Sequence, residues 1–574
     1  MTLATSGVSG AQALGVPVNS PQTLTADDYE AERIQSTTEA HEYRSDVPSN
    51  SSETPARPTC QGWTLIRILE AGERFRHIPR ISALRPQDEL WQAIREHETA
   101  GIPLIIEDWH KHPQWPSNMF DVEWLVQNCP DEVLHVRNMH DRLDRDMLLP
   151  EFIERSRKQP AYVSPDEVER FYGKDAFCPP EWKIWLEQSE VLPAPVIPCG
   201  TNDILQHLPE SSSVESLMCY LGIGDTFTPC HKDLCASSGQ NIMCYTENGG
   251  SSYWFMTASS DAPAAAAYFS NTLGQELDWE THVATVREFA AAPFTVYVAE
   301  QKVGDLVLVP PRSCHQVVNH GGLTVKMSWS RMTVRGLQTA LRHELPLYRR
   351  VCRPEQYRVK SLLHRTLLQY TTELEEILAR TSDSPSGSSR GDSAVDLTKQ
   401  SARLSDLETL IQLFEELLCE EYTKSHASLS QIIHSTRGWA VVPGPMRAAG
   451  TTLILRPPST IPGTLADDHG DKQSYNFACD FCGADMFQSF FECRDCVLVQ
   501  DVDAVLGNGD GLLICAPCYV EGRSCLCEEM EPVQCRPFGD LLRDRNRAAE
   551  AIVRCHGTSD TKYKIWTERS VTYF

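Results

Sequence analysis

Hydrophobic positions are sparse over residues 1–58, where Ser, Thr, Pro, Asp and Glu dominate and aromatics are few. Such a stretch cannot bury enough apolar surface to offset the entropy of ordering, so a disordered tail is expected. From Gly62 the pattern changes. WTLIRIL opens an apolar run, and PQDELWQAIREHETA sets Leu90, Trp91, Ile94 and His97 at helical spacing. GIPLIIEDW reads as a short buried strand, and MFDVEWLVQNC and MLLPEFIERSRK as two more helices. Proline density between Ser164 and Cys199 predicts irregular connections. Strands are then expected from SVESLMCYLGIG through NIMCYT, SSYWFMT, FTVYVAEQ, DLVLVP, CHQVVN and LTVKMSWS, each set off by Gly, Pro or Asn-Gly. Many short strands with turns between them predict a barrel or sandwich.

Beyond Arg331 the period becomes helical. LSDLETLIQLFEELLCEEY puts Leu407, Leu410, Ile411, Phe414, Leu417 and Leu418 on one side, as a core stripe or a docking face. The polar runs TSDSPSGSSRGDSAVD and ADDHGDKQS read as linkers. No internal repeat of domain-building length is visible. These changes divide the chain into a tail (1–58), a β-rich domain with N-terminal helical and strand support (59–345) and a basic helical extension (346–380). A flexible linker (381–402), a helical segment (403–440), a second linker (441–474), a cysteine-rich module (475–540) and a C-terminal tail (541–574) follow.

Composition narrows the class. At 574 residues several structured units are expected rather than one core. A hydrophobic content of 41% and a mean hydropathy of −0.33 suit a soluble globular protein. No window approaches the roughly 20 apolar residues of a membrane span, so no membrane association is expected. The first residues lack a basic region followed by an apolar core, so no secretory signal is expected. In the intracellular setting this implies, the 21 cysteines are read as metal ligands or core thiols rather than disulfides. A net charge of −26 excludes generalised nucleic-acid binding through the whole surface. Against it stands a basic run, Arg335, Arg342, Arg349, Arg350, Arg353, Arg358, Lys360 and Arg365, countered only by Glu344 and Glu355. It reads either as a solvated helical face or, over 335–365, as a patch for DNA or another polyanion.

Eight of the 21 cysteines fall between Cys479 and Cys527: Cys479, Cys482, Cys493, Cys496, Cys515, Cys518, Cys525 and Cys527. Three C-x-x-C knuckles among them can each place two thiolates on a tetrahedral ion, and eight ligands suit two closed structural Zn²⁺ sites. Joining the first knuckle to the third and the second to the last pair gives an interleaved arrangement; sequential pairing is the alternative.

A different ligand set lies upstream. His231 and Asp233 sit two apart in YLGIGDTFTPCHKDLCASSGQNIMCYTENGGSSYW, so on a strand both point to one face. His315, in PPRSCHQVVN, follows 84 residues later. Two histidines and one carboxylate are the facial set that holds Fe(II) and leaves positions open. A second H-x-D, His469–Asp471, lies in a polar linker without strand context and is read as chance. Cys230 and Cys314 adjoin the histidines and are expected to point the other way, into core. Tyr253, Trp254 and Trp329 are expected to be barrel core.

TPCHKDLCASSGQNIM, the following YWFM, and EQKVGDLVLVPPRSCHQVVNHGG together resemble the Jumonji C (JmjC) domain, a family of Fe(II)- and 2-oxoglutarate-dependent oxygenases. The resemblance spans roughly 62–345. It implies a mainly β fold, a double-stranded β-helix (jelly-roll barrel) with flanking helices, beside a helical segment and a small zinc-binding domain. It implies iron on His231, Asp233 and His315. Tyr220, Thr228 and Asn241 would hold 2-oxoglutarate. Relatives often carry a lysine on the strand before Trp254, where this chain has Ser252. Lys326, with Ser328 on the same strand face, is the expected replacement, since a buried cosubstrate carboxylate needs a balancing cation. The resemblance and the cysteine module imply a nuclear, chromatin-associated histone lysine demethylase whose partners are histone tails and nucleosomes. A hydroxylase of a non-histone protein and a catalytically weak chromatin scaffold are the alternatives.

Overall fold

The computed structural model describes residues 59–210, 213–383, 390–421, 454–455, 477–497, 511–525, 530–534, 536, 538–557 and 563–567. The expected tail 1–58 and most of the linker 441–474 lie outside the described residues.

Eight strands form the centre: β1 (Met218–Gly222), β2 (Phe227–His231), β3 (Ser238–Thr246), β4 (Ser251–Met256), β5 (Val296–Gln301), β6 (Leu306–Val309), β7 (His315–His320) and β8 (Thr324–Arg331). One sheet runs β5-β4-β7-β2 and the other β6-β3-β8-β1, every neighbouring pair antiparallel. The chain passes back and forth between the two sheets, which is the jelly-roll form of the double-stranded β-helix. Short strands extend both sheets. Phe75–His77 adds to β5, Arg80–Ser82 and Leu104–Glu107 add beyond β6, and Phe171–Ala176, Val133–Asn138 and Asp144–Leu148 add beyond β1.

Strand alternation explains the composition. All six residues of β4 are buried, so SSYWFM reads as a continuous run rather than an alternating one. Trp254 and Met256 pack inside the barrel with Ala299, Val307, Val309 and Val317. Tyr253 and Phe255 face the other way, into a cluster with Phe289, Val296 and Val298. The insert between β4 and β5 covers that outer face. Its helix Val286–Ala291 starts at a capping box in which Thr285 and Glu288 satisfy each other's backbone N–H groups. Behind the second sheet, Trp109, Trp182, Ile242, Leu306, Val325 and Trp329 build the largest core cluster.

The expected helices over 86–100, 119–129 and 147–158 are present as Gln87–Ala100, Val122–Asn128 and Leu149–Lys158. The stretch from Ser164 to Cys199 differs from expectation. It contains the strand Phe171–Ala176 and the helix Pro180–Gln188, which begins on a proline. Proline is tolerated there because the first-turn N–H has no helical partner to lose.

Beyond the barrel, α1 (Leu345–Val351), α2 (Val359–Asp383) and α3 (Arg390–Glu421) are joined by a fourth helix, α4 (Phe538–His556). The helix α3 begins at Arg390, so the boundaries expected for a linker at 381–402 fall within helices; 384–389 and 422–440 lie outside the described residues. The expected stripe is a core stripe: Leu407, Leu410, Ile411, Phe414, Leu417 and Leu418 share one cluster with Leu362, Leu367 and Leu374 of α2. The first part of the C-terminal tail expected at 541–574, residues 541–556, instead belongs to α4. Leu541, Leu542, Ala548, Ala549, Ala551 and Ile552 are buried in the same cluster. Much of that buried face is alanine amid charged neighbours, which hides its period. Among the described residues no helix is long and apolar enough to cross a membrane.

Candidate active site

His231 closes β2 and His315 opens β7, and the two are direct cross-strand partners. Their ring centroids are 4.0 Å apart, and His315 Nε2 lies 3.7 Å from Asp233 Oδ1. One donor atom from each of the three residues falls within 4.8 Å of the others. Each Nδ1 faces a backbone carbonyl, that of Pro229 at 2.8 Å and that of Ser313 at 3.0 Å. Donation from Nδ1–H fixes the tautomer and leaves both Nε2 lone pairs for a metal. Burial lowers the pKa of both rings, that of His315 to about 4, so both are neutral near pH 7.

Burial pushes the Asp233 carboxyl up to about 6, and its Oδ2 has no hydrogen-bond partner. An orphaned carboxylate oxygen beside two neutral imidazoles is costly unless a cation completes it. These residues therefore fit a divalent metal. The backbone makes room for the carboxylate: a Cβ on Gly239 would lie 2.3 Å from Asp233 Oδ2. Trp254 stacks on the far side of His315 with centroids 6.1 Å apart. Cys230 and Cys314 point outward into the cluster behind the five-stranded sheet, as strand parity requires. His469 and Asp471 lie outside the described residues.

Deeper in the barrel, Lys326 on β8 is 1% exposed. Its Nζ donates to Asn319 Oδ1 at 2.6 Å and to Ser252 Oγ at 3.0 Å, and Ser252 Oγ donates to Asn319 Oδ1 at 2.8 Å. The amine thus reaches the serine that stands at the strand position where relatives carry lysine. Among the described residues it makes no ion pair with a carboxylate, and burial lowers its pKa to about 7. Thr228 Oγ1 lies 3.3 Å from the Tyr172 hydroxyl. A register shift between β7 and β2 sets Thr228 opposite Val317 while His231 stays opposite His315. Asn241 accepts from Gln301 Nε2 at 3.1 Å, and Gln301 accepts from Trp254 Nε1 at 2.8 Å. Ser328 is the cross-strand partner of Asn241, and its hydroxyl donates to the Gln240 carbonyl. Tyr220 is the partner of Lys326, but its hydroxyl donates to Asp175 at 2.5 Å.

Sequence reasoning passed over Asn319, Tyr172 and Gln301. Asn319 carried a signal: it follows His315 and Val317 at a spacing of two, on their strand face. Tyr172 lies in a stretch expected to be irregular, and Gln301 ends the expected strand FTVYVAEQ with no pattern that sets it apart.

The four thiols of Cys479, Cys482, Cys515 and Cys518 are all buried and lie within 4.8 Å of one another. This unites the first and third knuckles, the interleaved alternative. Cys493 and Cys525 are buried. The side chain of Cys496 and all of Cys527 lie outside the described residues. The module is seated on the helical layer: Phe487 joins its core, and a Cβ on Gly483 (φ +71) would meet the Pro354 backbone at 2.6 Å. Asp485 N–H and Val359 N–H both donate to Glu355, tying knuckle and α2 together. In the basic run, Arg342 pairs with Glu416, Arg349 with Glu521, Arg350 with Glu276, Arg353 with Asp278 and Glu280, and Lys360 with Glu421. These carboxylates come from distant parts of the sequence, which is why the run looked uncompensated.

Residues 218–330 match the family described as JmjC domain, hydroxylase. The span holds all eight positions assigned here to metal and cosubstrate. C-module-binding factor A of Dictyostelium discoideum is 26% identical over 416 residues, covering 71% of this chain. The match spans 36% of that relative's length. The chain thus carries a JmjC hydroxylase domain, whose family implies Fe(II) and 2-oxoglutarate.

Proposed function

We propose that this JmjC barrel is a histone lysine demethylase that works in the nucleus on histone tails, with Fe(II) at His231, Asp233 and His315 and 2-oxoglutarate on the Lys326 floor. One observation carries the reading. A three-ligand set with an orphaned carboxylate oxygen shares a barrel with a buried lysine that, among the described residues, lacks a carboxylate of its own. A metal answers the first need and a 2-oxo diacid answers both, chelating at one end and pairing with Lys326 at the other.

Fe(II) held by His231, Asp233 and His315 would supply the O2-dependent oxidative decarboxylation of 2-oxoglutarate to succinate and CO2, one oxygen atom of O2 going into succinate and the other into a substrate C–H bond. Hydroxylation of an N-methyl group gives a hemiaminal that releases formaldehyde. The chain's own part is positional. His231 and His315 present neutral Nε2 atoms, Asp233 supplies charge, and Lys326, Asn319 and Thr228 orient the far carboxylate. Asp175 and Glu280 lie close enough to act on the site histidines electrostatically, and each is paired with a cation of the chain, Lys174 and Arg353. The reading places no weight on the basic run, five of whose side chains already pair with carboxylates.

The test is incubation of purified protein with Fe(II), 2-oxoglutarate and an array of methylated histone peptides. Formaldehyde that depends on the peptide is the expected result. Succinate with an added oxygen on another protein, and no formaldehyde, would point to a hydroxylase; no succinate under any condition would point to a scaffold.

The four-cysteine site is proposed as structural zinc, closed and without an open position. A small module of this kind draws much of its stability from the ion. Cys515→Ser is expected to remove one zinc per chain, read by elemental analysis, and to expose the knuckle to proteolysis. Retention of both zinc and protease resistance would refute the assignment.

A further inference from the structure

The residue between His231, which ends β2, and Asp233 just beyond it is Lys232, and its side chain points away from the metal side. It is 3% exposed, and its Nζ lies 2.9 Å from Glu344 Oε2 and 3.2 Å from Asp278 Oδ1. Glu344 is fully buried and ends the π-helical turn Ala340–Glu344 that follows the barrel. Such turns interrupt the regular helical register and re-aim a side chain, often near functional sites. The other oxygen of Glu344 accepts from Arg312 Nε at 2.7 Å. Arg312 stands three residues before His315 in the turn that delivers that ligand, with the left-handed φ of 65° unusual for a non-glycine residue.

One carboxylate therefore grips both ligand-bearing segments, the His231–Asp233 loop through Lys232 and the His315 turn through Arg312. The surroundings reinforce the grip. Arg353 pairs with Asp278 and Glu280 and lies 4.9 Å over the Tyr348 ring. The Tyr348 hydroxyl accepts from Cys235 N–H at 2.8 Å, holding the same loop. Lys232, Arg312 and Arg353 face Asp278, Glu280 and Glu344, so the cluster is charge-balanced, as buried ions must be. Lys232, Arg312 and Glu344 pair within the cluster rather than with a metal ligand, so their function is positional.

We propose that Glu344 is a positioning residue that sets the separation of the metal ligands by clamping their two supporting segments, and that it thereby governs affinity for the metal. The proposal rests on the reading of His231, Asp233 and His315 as a metal site. Glu344→Gln keeps the shape but turns an amide nitrogen toward one of the two cations, severing one arm. Arg312→Gln removes the other arm from the cation side, at a side chain that is 22% exposed and tolerant of change. Glu415→Gln is the control: it breaks the pair with the fully buried Arg545, 2.8 Å apart, in the helical layer.

Protein stripped of metal at the barrel site but retaining its cysteine-bound metal is titrated with Mn²⁺, which favours nitrogen and oxygen donors over thiolates. Bound and free ion are separated by electron paramagnetic resonance, and Tm is recorded alongside. Loss of a residue that orients metal ligands weakens binding by about 10–100-fold. That loss is expected for Glu344→Gln, a smaller one for Arg312→Gln, and none for Glu415→Gln even where its Tm falls as far. Should Glu344→Gln fail to fold, Arg312→Gln against Glu415→Gln gives the same comparison. Wild-type binding at one site with unchanged affinity in both clamp variants would overturn the proposal alone, as would an equal loss in the control. Failure of the wild type to bind Mn²⁺ would overturn the metal reading as well.

Discussion

Asp233→Asn is expected to weaken metal binding at the barrel site by more than about 100-fold, the upper range for losing even a supporting residue, while leaving the metal-free barrel folded. The two effects separate because of where the carboxylate sits. Its Oδ2 is buried without a partner, and burial holds its pKa at about 6. Its folded pKa lies above its unfolded value of 3.8, so the folded state binds the proton more tightly. Relative to the asparagine variant, the metal-free wild type is therefore most stable below pH 4. It loses that advantage as pH rises through 6, by roughly 2–3 kcal/mol. Above pH 6 the variant should melt at a higher temperature than metal-free wild type. Added metal should raise Tm of the wild type only. Thermal melts at pH 4 and pH 7, with and without Mn²⁺, check both statements; a metal-dependent shift that survives in the variant would remove Asp233 from the ligand set.

Replacing Lys326 with methionine is the second large change, expected to weaken 2-oxoglutarate binding at least about tenfold through loss of one buried charge pair while metal content stays intact. The lysine is buried, loses its charge as pH rises through about 7, and among the described residues is held by Ser252 and Asn319. Burial depresses its pKa from 10.5 to about 7, so between those values the unfolded chain holds a proton that the folded one does not. Stability conferred at this site therefore increases from pH 7 toward 10.5 and is lower below pH 7, where the folded barrel must bury a charged amine. A bound carboxylate supplies the missing counter-charge and draws the proton back. Calorimetry at pH 8.5 in buffers of different ionisation enthalpy should show close to one proton taken up with 2-oxoglutarate by wild type and none by the variant. Equal affinity and equal proton uptake in both proteins would place the cosubstrate elsewhere.

The parts of this site that could be read from sequence are those set by local periodicity. The strand expected to carry both His231 and Asp233 ends at His231, with Asp233 just beyond it; His315 opens a later strand, and Cys230 and Cys314 point away as a period of two requires. Lys326 could be nominated because its strand face was also readable, but Ser252 and Asn319 as its partners could not, since they come from β4 and β7. The same limit applies to Glu344: residues 232, 312 and 344 show no pattern until the fold brings them together. The knuckles announced a metal, yet only the structure separated interleaved from sequential pairing. At the C-terminus the helix α4 was missed because a buried face rich in alanine has little apolar contrast. It was also missed because Arg545, though charged, is fully buried through Glu415 and Trp566. The basic run was misleading in the opposite sense, since its balancing acids lie outside its own stretch of chain.

The most direct measurement is O2-dependent conversion of 2-oxoglutarate to succinate by the purified protein loaded with Fe(II), in the presence of methylated histone peptides. The account predicts one succinate per 2-oxoglutarate consumed, a requirement for Fe(II), and loss of the product in Asp233→Asn. Absence of succinate from the iron-loaded wild type, or undiminished succinate from the variant, would contradict it.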